Sequence, residues 1–194
     1  MIHLALLRHG HTEWNRAGRI QGRTDIPIDA EARAQLSDLR LPVDWQDAQV
    51  VSSPLSRARQ TAELVSGRPP RVEPALMEMN WGDWEGAKGA ALHADPHSGF
   101  RDIEDWGWDY CPPGGERPGD LRDRLVPWAK SLTEPTVAVT HIGVMRVLLA
   151  HATGWGFDGP APFAVKRNRL YVIDIDAGGW QMSPSPVRLE AVSS

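Results

Sequence analysis

The run at the amino terminus constrains the fold more than any other stretch. A largely apolar segment from Ile2 to Leu7 stops abruptly at Arg8, His9 and Gly10. An apolar run of this length, followed at once by polar residues and glycine, is typical of a buried strand that enters a loop. In an open α/β sheet, such loops at the carboxyl ends of strands bind ligands. Arginine presents a planar donor suited to phosphate, and histidine serves as nucleophile or proton carrier near neutral pH. The segment therefore predicts an anion site.

Strand and helix patterns alternate along the rest of the chain. Strand-like runs are present at 48–52, 136–140, 164–176 and 179–182. Helical spacing of apolar residues is present at about 30–39, 54–65, 120–132 and 144–153. This alternation predicts an α/β sandwich with a mainly parallel sheet. We expect the segment from Pro184 onward to be loosely ordered.

Length and composition favour one globular domain. The chain has 194 residues, 41% of them hydrophobic and 24% charged, which is enough for a substantial core. We expect a single domain over 1–194, with an insertion on the substrate side at about 87–118. A formal net charge of -4 gives no general attraction to nucleic acid or to an anionic membrane. The pattern leaves the oligomeric state open.

Targeting and redox signals point to the cytoplasm. The first apolar run is too short for a secretory signal and lacks a cationic lead, and no run is long enough to span a bilayer. A single cysteine, Cys111, excludes an intramolecular disulfide and a cysteine-cluster metal site. His11 beside His9 suggests a metal site, but no further ligand spacing supports it.

A second candidate anion contact follows the strand at 48–52. Ser53 is a natural helix N-cap and Pro54 suits the first helical position, which places Arg57 in the first turn. Unpaired N–H groups and the positive end of the helix dipole favour an anion there. The alternative is a solvent-facing helix residue, which is what we expect of Arg59.

The clearest strand, 136–140, delivers His141 in the same way that the first strand delivers His9. Two histidines and two arginines around one phosphoryl group would neutralise its charge and place an imidazole in line with phosphorus. A neutral histidine can carry the phosphoryl group covalently and divide one hard step into two. The pattern therefore predicts phosphoryl transfer.

An alkoxide leaving group also needs a proton donor. The candidates in the loop at 76–86 are Glu78, Asp83 and Glu85. Flanking Trp81 and Trp84 would lower the local polarity and raise a carboxyl pKa.

Five segments together resemble the successive motifs of the histidine phosphatase (phosphoglycerate mutase-like) superfamily. They are residues 6–15, 52–62, 77–86, 112–116 and 139–143. They follow the family's order, and the similarity extends from residue 4 to about 153. The resemblance implies a three-layer α/β/α sandwich and a metal-independent mechanism that needs no cofactor. It also implies a small phosphomonoester as substrate.

The resemblance further implies a role for individual residues. His9 becomes the phosphorylated nucleophile. Glu78 becomes the acid/base, which leaves Asp83 and Glu85 as structural residues. The remaining contacts to the phosphate are then made by Arg8, Asn15, Arg57 and His141.

Two departures from the family pattern bear on the substrate. Ile142 stands where the family usually has glycine, and Arg117 stands where relatives commonly have serine. The β-branched Ile142 restricts the turn and narrows the pocket beside the phosphate. In the insertion, Trp106, Trp108 and Tyr110 are expected to pack, with stacking on an aromatic leaving group as the alternative.

We therefore predict a phosphomonoester hydrolase of the histidine acid phosphatase type. Family mutases tend to carry larger insertions that shield phosphohistidine from water, and this chain is short. The loop at 76–86 and the segment 112–116 look most like those of α-ribazole-5'-phosphate phosphatases. The alternatives are a phosphoglycerate mutase and a module that binds phosphomonoesters without turning them over.

Overall fold

The fold is built on one mixed β-sheet with helices on both sides. The computed structural model describes residues 1–192. The strands are β1 (Ile2–Arg8), β2 (Leu39–Arg40), β3 (Gln49–Ser52), β4 (Arg71–Val72), β5 (Thr136–Thr140), β6 (Arg169–Asp176), β7 (Gly179–Met182), β8 (Val187–Arg188) and β9 (Glu190–Ala191). The α-helices are α1 (Glu13–Arg16), α2 (Ala30–Ser37), α3 (Ser56–Ser66), α4 (Gly89–Ala94), α5 (Pro118–Lys130) and α6 (Ile142–Thr153). Single turns of 3-10 helix lie at Val43–Trp45, Pro74–Leu76, Gly82–Trp84 and Ile103–Asp105.

The order of the strands brings several functional segments to one edge. The main sheet runs β4-β3-β5-β1-β6-β7, and β8 pairs with β6. Strands β1, β3, β4 and β5 are parallel, whereas β6 is antiparallel to β1 and β7. The carboxyl ends of β1, β3 and β5 therefore share an edge with the start of β6. The predicted α/β fold is confirmed, and its parallel part is completed by antiparallel strands on one side.

Buried side chains on both faces of β1 explain its apolar sequence. Leu4 and Leu6 lie in one core cluster, and Ala5 and Leu7 lie in the other, because successive side chains of a strand point to opposite faces. Helices α5 and α6 cover the first cluster, and α2 and α3 cover the second. The sheet is thus the middle layer of three, and a strand covered on both faces needs no polar alternation.

The start of α3 differs from the prediction. The helix begins at Ser56, and Leu55 is its N-cap residue without a side-chain cap. The Ser56 N–H donates to Asp25 Oδ1 at 2.8 Å. The predicted cap, Ser53, lies before the helix, and its hydroxyl accepts from the Leu55 N–H and contacts a histidine of the site below. A residue used in this way is not available as a cap.

Residues 87–117 consist of short helices joined by loops, and Pro118 begins α5. The segment contains α4 and the turn at Ile103–Asp105. Its aromatic side chains pack on each other and on Trp84. The ring centroid of Trp84 lies 5.1 Å from that of Phe100 and 6.4 Å from that of Trp106.

The segment from Pro184 is more ordered than we expected. Strand β8 pairs with β6, and β9 pairs with β2. Each of these strands has two residues, too few for a recognisable pattern in the sequence. The expectation of loose order was therefore wrong for residues up to 192, and its last two residues lie outside the described part of the chain.

Candidate active site

The predicted site residues meet at the carboxyl edge of the parallel strands. Arg8 is the last residue of β1, His9 follows it, and His141 follows β5. The imidazole rings of His9 and His141 have centroids 5.2 Å apart. A cleft of about 190 Å³ opens beside them, and four of the six predicted residues line it directly: Arg8, His9, Asn15 and Glu78.

The hydrogen bonds of His9 fix which ring nitrogen is free. Its side chain is 3% exposed, and Nδ1 lies 2.6 Å from the Gly10 carbonyl oxygen. A carbonyl oxygen only accepts hydrogen bonds, so Nδ1 carries the proton and Nε2 keeps its lone pair. Burial first, and then the charges of Arg57 and Arg8, lower the pKa of His9 well below the ordinary value. The ring is therefore neutral at physiological pH and has an unprotonated nitrogen.

Arg57 and His141 form a fixed pair beneath this ring. Arg57 is 0% exposed, so the alternative of a solvent-facing side chain is wrong. It donates from Nε to His141 Nδ1 at 3.3 Å, and from its terminal nitrogens to carbonyl oxygens of Thr24 and Gly22. Since Nδ1 of His141 accepts, the ring's proton is on Nε2, which donates to Ser53 Oγ at 2.7 Å. Burial and the Arg57 charge also lower the pKa of His141 well below its usual value.

Arg8 contributes a cation with unsatisfied donors. Its Nε is buried and has no hydrogen-bond partner among residues 1–192. Burial, and then the charge of Arg146, lower the pKa of Arg8 to about 10, so the guanidinium remains charged at neutral pH. A buried donor without a partner is costly, and an anionic ligand would satisfy it.

A further arginine, Arg167, completes the cationic wall. It donates from Nε to the His9 carbonyl oxygen at 3.0 Å and from Nη2 to Asn15 Oδ1 at 2.9 Å. Asn15 Oδ1 also accepts from the Thr12 N–H. The Asn15 oxygen is thereby engaged, which leaves its NH₂ group as the donor that the residue offers to the cleft. Burial, followed by the charge of Arg8, lowers the pKa of Arg167 to about 9.

Glu78 is buried next to the cationic groups. It is 1% exposed, and its two carboxyl oxygens accept from the backbone N–H groups of Met79 at 2.7 Å and Gly143 at 3.2 Å. Burial raises the pKa of Glu78, and these hydrogen bonds, together with Arg57 and Arg8, oppose that rise. Its carboxyl group therefore remains protonated to a higher pH than an exposed glutamate.

Gly143 is required by this close approach. A Cβ atom at that position would lie 2.4 Å from Glu78 Oε1, closer than real Cβ contacts. Because residue 143 has no side chain, the Glu78 carboxyl group can lie against the first turn of α6.

A second set of contacts holds the loop that carries Glu78. Arg124 of α5 donates to the carbonyl oxygens of Ala75 and Met77, the latter at 2.7 Å. It also pairs with Glu116, whose carboxylate accepts from the Asn80 N–H at 3.1 Å. The loop is therefore fixed from both sides to α5 and to the segment before it.

The other two acidic residues of the loop have different surroundings. Asp83 is exposed, and Glu85 accepts from the Thr24 N–H. Glu85 thus holds the loop that also supplies carbonyl acceptors to Arg57. The Asp83 N–H donates to the Pro113 carbonyl oxygen at 2.8 Å, and Asp83 is not among the residues that line the cleft.

The aromatic residues divide between the cleft and the core. Trp81 and Phe100 line the cleft, whereas Trp84 is buried in the core. Trp106 packs on Trp81 with ring centroids 5.3 Å apart. Trp108 packs on Phe157 and Tyr110 on Trp106, so these three insertion residues pack as expected.

The sequence analysis did not identify Arg167 or Arg124, and it assigned Ser53 to a helix cap instead of to the site. Arg167 precedes β6, and only the antiparallel pairing of β6 with β1 brings it to His9. Three basic residues around the start of β6, Lys166, Arg167 and Arg169, were the available signal.

Two general tests of the structure give negative results. Across residues 1–192, no three His, Cys, Asp or Glu side chains are grouped as a metal site requires. In the same part of the chain, no helix has the length and apolar character needed to cross a membrane.

The chain is similar to known proteins in sequence and in fold. The model of the histidine phosphatase superfamily (branch 1) matches residues 4–184. A glucosyl-3-phosphoglycerate phosphatase of Mycolicibacterium vanbaalenii is 31% identical over 174 residues, which cover 80% of this chain and 76% of the relative. A metal-independent phosphoserine phosphatase of Arabidopsis thaliana is 31% identical over 168 residues, which cover 77% of this chain and 68% of the relative. A crystal structure of a phosphoglycerate mutase from Thermus thermophilus superposes with a TM-score of 0.71 at 34% identity, covering 98% of this chain and 99% of that chain.

Proposed function

Because the chain belongs to the histidine phosphatase superfamily (branch 1) and is an enzyme of phosphate-ester chemistry, we propose that it hydrolyses a small phosphomonoester through a phosphohistidine at His9. One observation carries this proposal. The Gly10 carbonyl fixes the proton on Nδ1, which leaves the Nε2 lone pair of a neutral, buried imidazole free for attack.

The cationic side chains supply the electrostatic part of the reaction. In the first step, His9 Nε2 forms a bond to phosphorus and the bond to the leaving oxygen breaks. Arg8 and Arg57 then face the phosphoryl oxygens, whose charge is greatest as the group is transferred. Because Nδ1 of His141 accepts from Arg57, this histidine contacts a phosphoryl oxygen when its Nε2–H exchanges Ser53 Oγ for that oxygen. Three of the five N–H donors of Arg57 are engaged by protein acceptors, so two remain for a phosphoryl oxygen. Asn15 offers its NH₂ group to the same oxygens.

Glu78 moves the protons. Its raised pKa favours the carboxylic acid, which donates a proton to the departing alkoxide. The resulting carboxylate accepts a proton from the water that attacks phosphohistidine. That second step releases inorganic phosphate and restores neutral His9 and protonated Glu78.

The substrate is a phosphorylated metabolite, and the relatives suggest the range to examine. Their names include a glucosyl-3-phosphoglycerate phosphatase and a phosphoserine phosphatase. α-Ribazole-5'-phosphate, which the loop at 76–86 suggested, stays a candidate beside these two. We propose hydrolysis rather than mutase activity because the segment at 87–118 is small and its aromatic side chains pack on each other and on Trp84.

The experiment measures inorganic phosphate released from a panel of phosphomonoesters in the presence of a chelator. The panel contains p-nitrophenyl phosphate, glucosyl-3-phosphoglycerate, phosphoserine, α-ribazole-5'-phosphate and 3-phosphoglycerate. We expect chelator-resistant turnover by the wild type and none by His9→Ala. Isomerisation of 3-phosphoglycerate with little free phosphate would establish a mutase instead. Tight binding without turnover would establish a binding module, and full activity of His9→Ala would refute the mechanism.

A further inference from the structure

The segment from 161 to 168 carries Arg167 and has no regular structure of its own. None of its residues belongs to a helix or a strand. Within the described part of the chain, its backbone is held by hydrogen bonds at the Ala164 carbonyl oxygen, the Lys166 N–H and the Asn168 carbonyl oxygen. Ala164 and Lys166 are exposed, so backbone contacts rather than side-chain burial fix the chain at these two positions. The hydrogen bonds therefore hold the backbone immediately before and after Arg167.

Tyr171 of β6 supplies two of these contacts from inside the protein. It is 2% exposed, and its hydroxyl accepts from the Lys166 N–H at 2.7 Å and donates to the Ala164 carbonyl oxygen at 2.7 Å. A hydroxyl group is donor and acceptor at once, so one tyrosine satisfies both backbone groups. Phenylalanine has nearly the same shape and can satisfy neither. The Tyr171 hydroxyl thus ties together two points of the chain just before Arg167.

The third contact comes from the carboxyl-terminal part of the chain. Asn168 has a positive φ of 59°, a conformation that asparagine adopts more readily than most residues. Its carbonyl oxygen accepts from the Leu189 N–H at 3.0 Å, directly after β8 pairs with the start of β6. Leu189 is 8% exposed and lies in the same core cluster as Leu7. The turn that follows Arg167 is therefore anchored to the core.

From this fixed position Arg167 reaches two groups of the active site. It donates from Nε to the His9 carbonyl oxygen at 3.0 Å and from Nη2 to Asn15 Oδ1 at 2.9 Å. A long side chain loses much conformational freedom when both bonds form, and a backbone that is already in place lowers this entropic cost. The contacts of Arg167 therefore depend on the hydrogen bonds that hold its backbone.

We propose that Tyr171 is a positioning residue for phosphate binding, and that it acts by holding Arg167 against His9 and Asn15. The inference rests on the proposed function, because it takes the phosphate to bind beside His9. Tyr171 is not among the residues that line the cleft, so its effect on the phosphate passes through Arg167. Without the hydroxyl, the chain before Arg167 gains freedom, and the contact that orients the Asn15 NH₂ group is formed for a smaller share of the time.

Calorimetry with inorganic phosphate tests this role without any turnover. Tyr171→Phe should raise the Kd for phosphate by about threefold to tenfold, which is the free energy of a typical hydrogen bond expressed as an affinity. Arg167→Met should raise the Kd by about tenfold. In the Arg167→Met background, Tyr171→Phe should cause no further loss, because the side chain through which it acts is gone. The matched control is Tyr110→Phe, which removes a hydroxyl that donates to the Gly99 carbonyl oxygen and should leave the Kd unchanged.

Turnover separates this inference from the proposed hydrolysis. With p-nitrophenyl phosphate, Tyr171→Phe should raise KM by about the same factor as the Kd and change kcat less. Ester hydrolysis with a Tyr171→Phe Kd equal to that of the wild type would overturn the positioning role and leave the phosphatase proposal standing. A loss of affinity that is equally large in the Arg167→Met background would also overturn it. A loss that depends on Arg167, without phosphate release from any ester, would support the positioning role and refute hydrolysis.

Discussion

Gly143→Ala tests whether Glu78 moves the proton to the leaving group. The added Cβ would lie 2.4 Å from Glu78 Oε1, whereas real Cβ contacts essentially never fall below 3.0 Å. One of the two groups must therefore move by about 0.6 Å. Glu78 is 1% exposed and closely surrounded, so its carboxyl group is displaced within the site. The backbone itself does not resist the change, because alanine is favoured over glycine in a helix by about 1 kcal/mol.

The expected loss follows from the role of the displaced group. A positioned general acid contributes about 10²–10⁴-fold, and misplacement by about 1 Å can cost 10²-fold. We expect kcat/KM for glycerol 3-phosphate to fall by about tenfold to a hundredfold. The loss for p-nitrophenyl phosphate should be much smaller, since its leaving group departs without a proton.

The control is Gly89→Ala at the first position of α4, where a Cβ meets nothing within 4 Å. Its kcat/KM for both esters should match the wild type. Equal losses of Gly143→Ala on the two esters, with an unchanged melting temperature, would refute the assignment of Glu78 as the acid.

Three further predictions concern the charges around His9. Since the folded-state pKa of His9 is depressed, the ring stays neutral well below pH 6.5, and since the pKa of Glu78 is raised, its acid form persists to higher pH. The kcat/KM for alkyl phosphates should therefore stay constant from pH 6.5 down to about pH 5.5 and should fall at alkaline pH. A fall of kcat/KM as the pH drops below about 6.5 would contradict this prediction. Arg57→Lys keeps the positive charge but loses the guanidinium group, whose three hydrogen bonds to the protein fix its orientation. We expect kcat to fall by about a hundredfold or more in phosphate-release assays. A wild-type kcat would show that the fixed guanidinium group is not needed. Arg167→Met removes the contact that orients Asn15, so KM should rise by about tenfold with a smaller change in kcat, and an unchanged KM would show that Arg167 has no part in phosphate binding.

The strand ends were predictable from the sequence because their signals are local. The run before Arg8 and His9, and the strand before His141, each place a polar residue directly after a buried apolar segment. In a parallel sheet the carboxyl ends of neighbouring strands meet, so the convergence of the two histidines follows from the pattern. The buried state of Arg57 is likewise consistent with its place in the first turn of α3.

Contacts between distant segments were not predictable in the same way. Arg167 is 158 residues from His9, and its contact depends on the register of β6 against β1. The proximity of Glu78 to Gly143 depends on how a loop without regular structure packs against α6. Ser53 was assigned to the wrong partner because its local pattern fits a helix cap, while the folded chain uses the hydroxyl for His141. Such choices are made by tertiary packing, which overrides local preference.

The covalent intermediate is the most direct test of the account. Wild type, Glu78→Gln and His9→Ala would be mixed with p-nitrophenyl phosphate, quenched in alkali, digested and examined by mass spectrometry. We expect a phosphoryl group on His9 that is stable in alkali and lost in acid. It should accumulate in Glu78→Gln, where water is no longer activated, and be absent from His9→Ala. A phosphoryl group on another residue, or undiminished turnover by His9→Ala, would contradict the central claim.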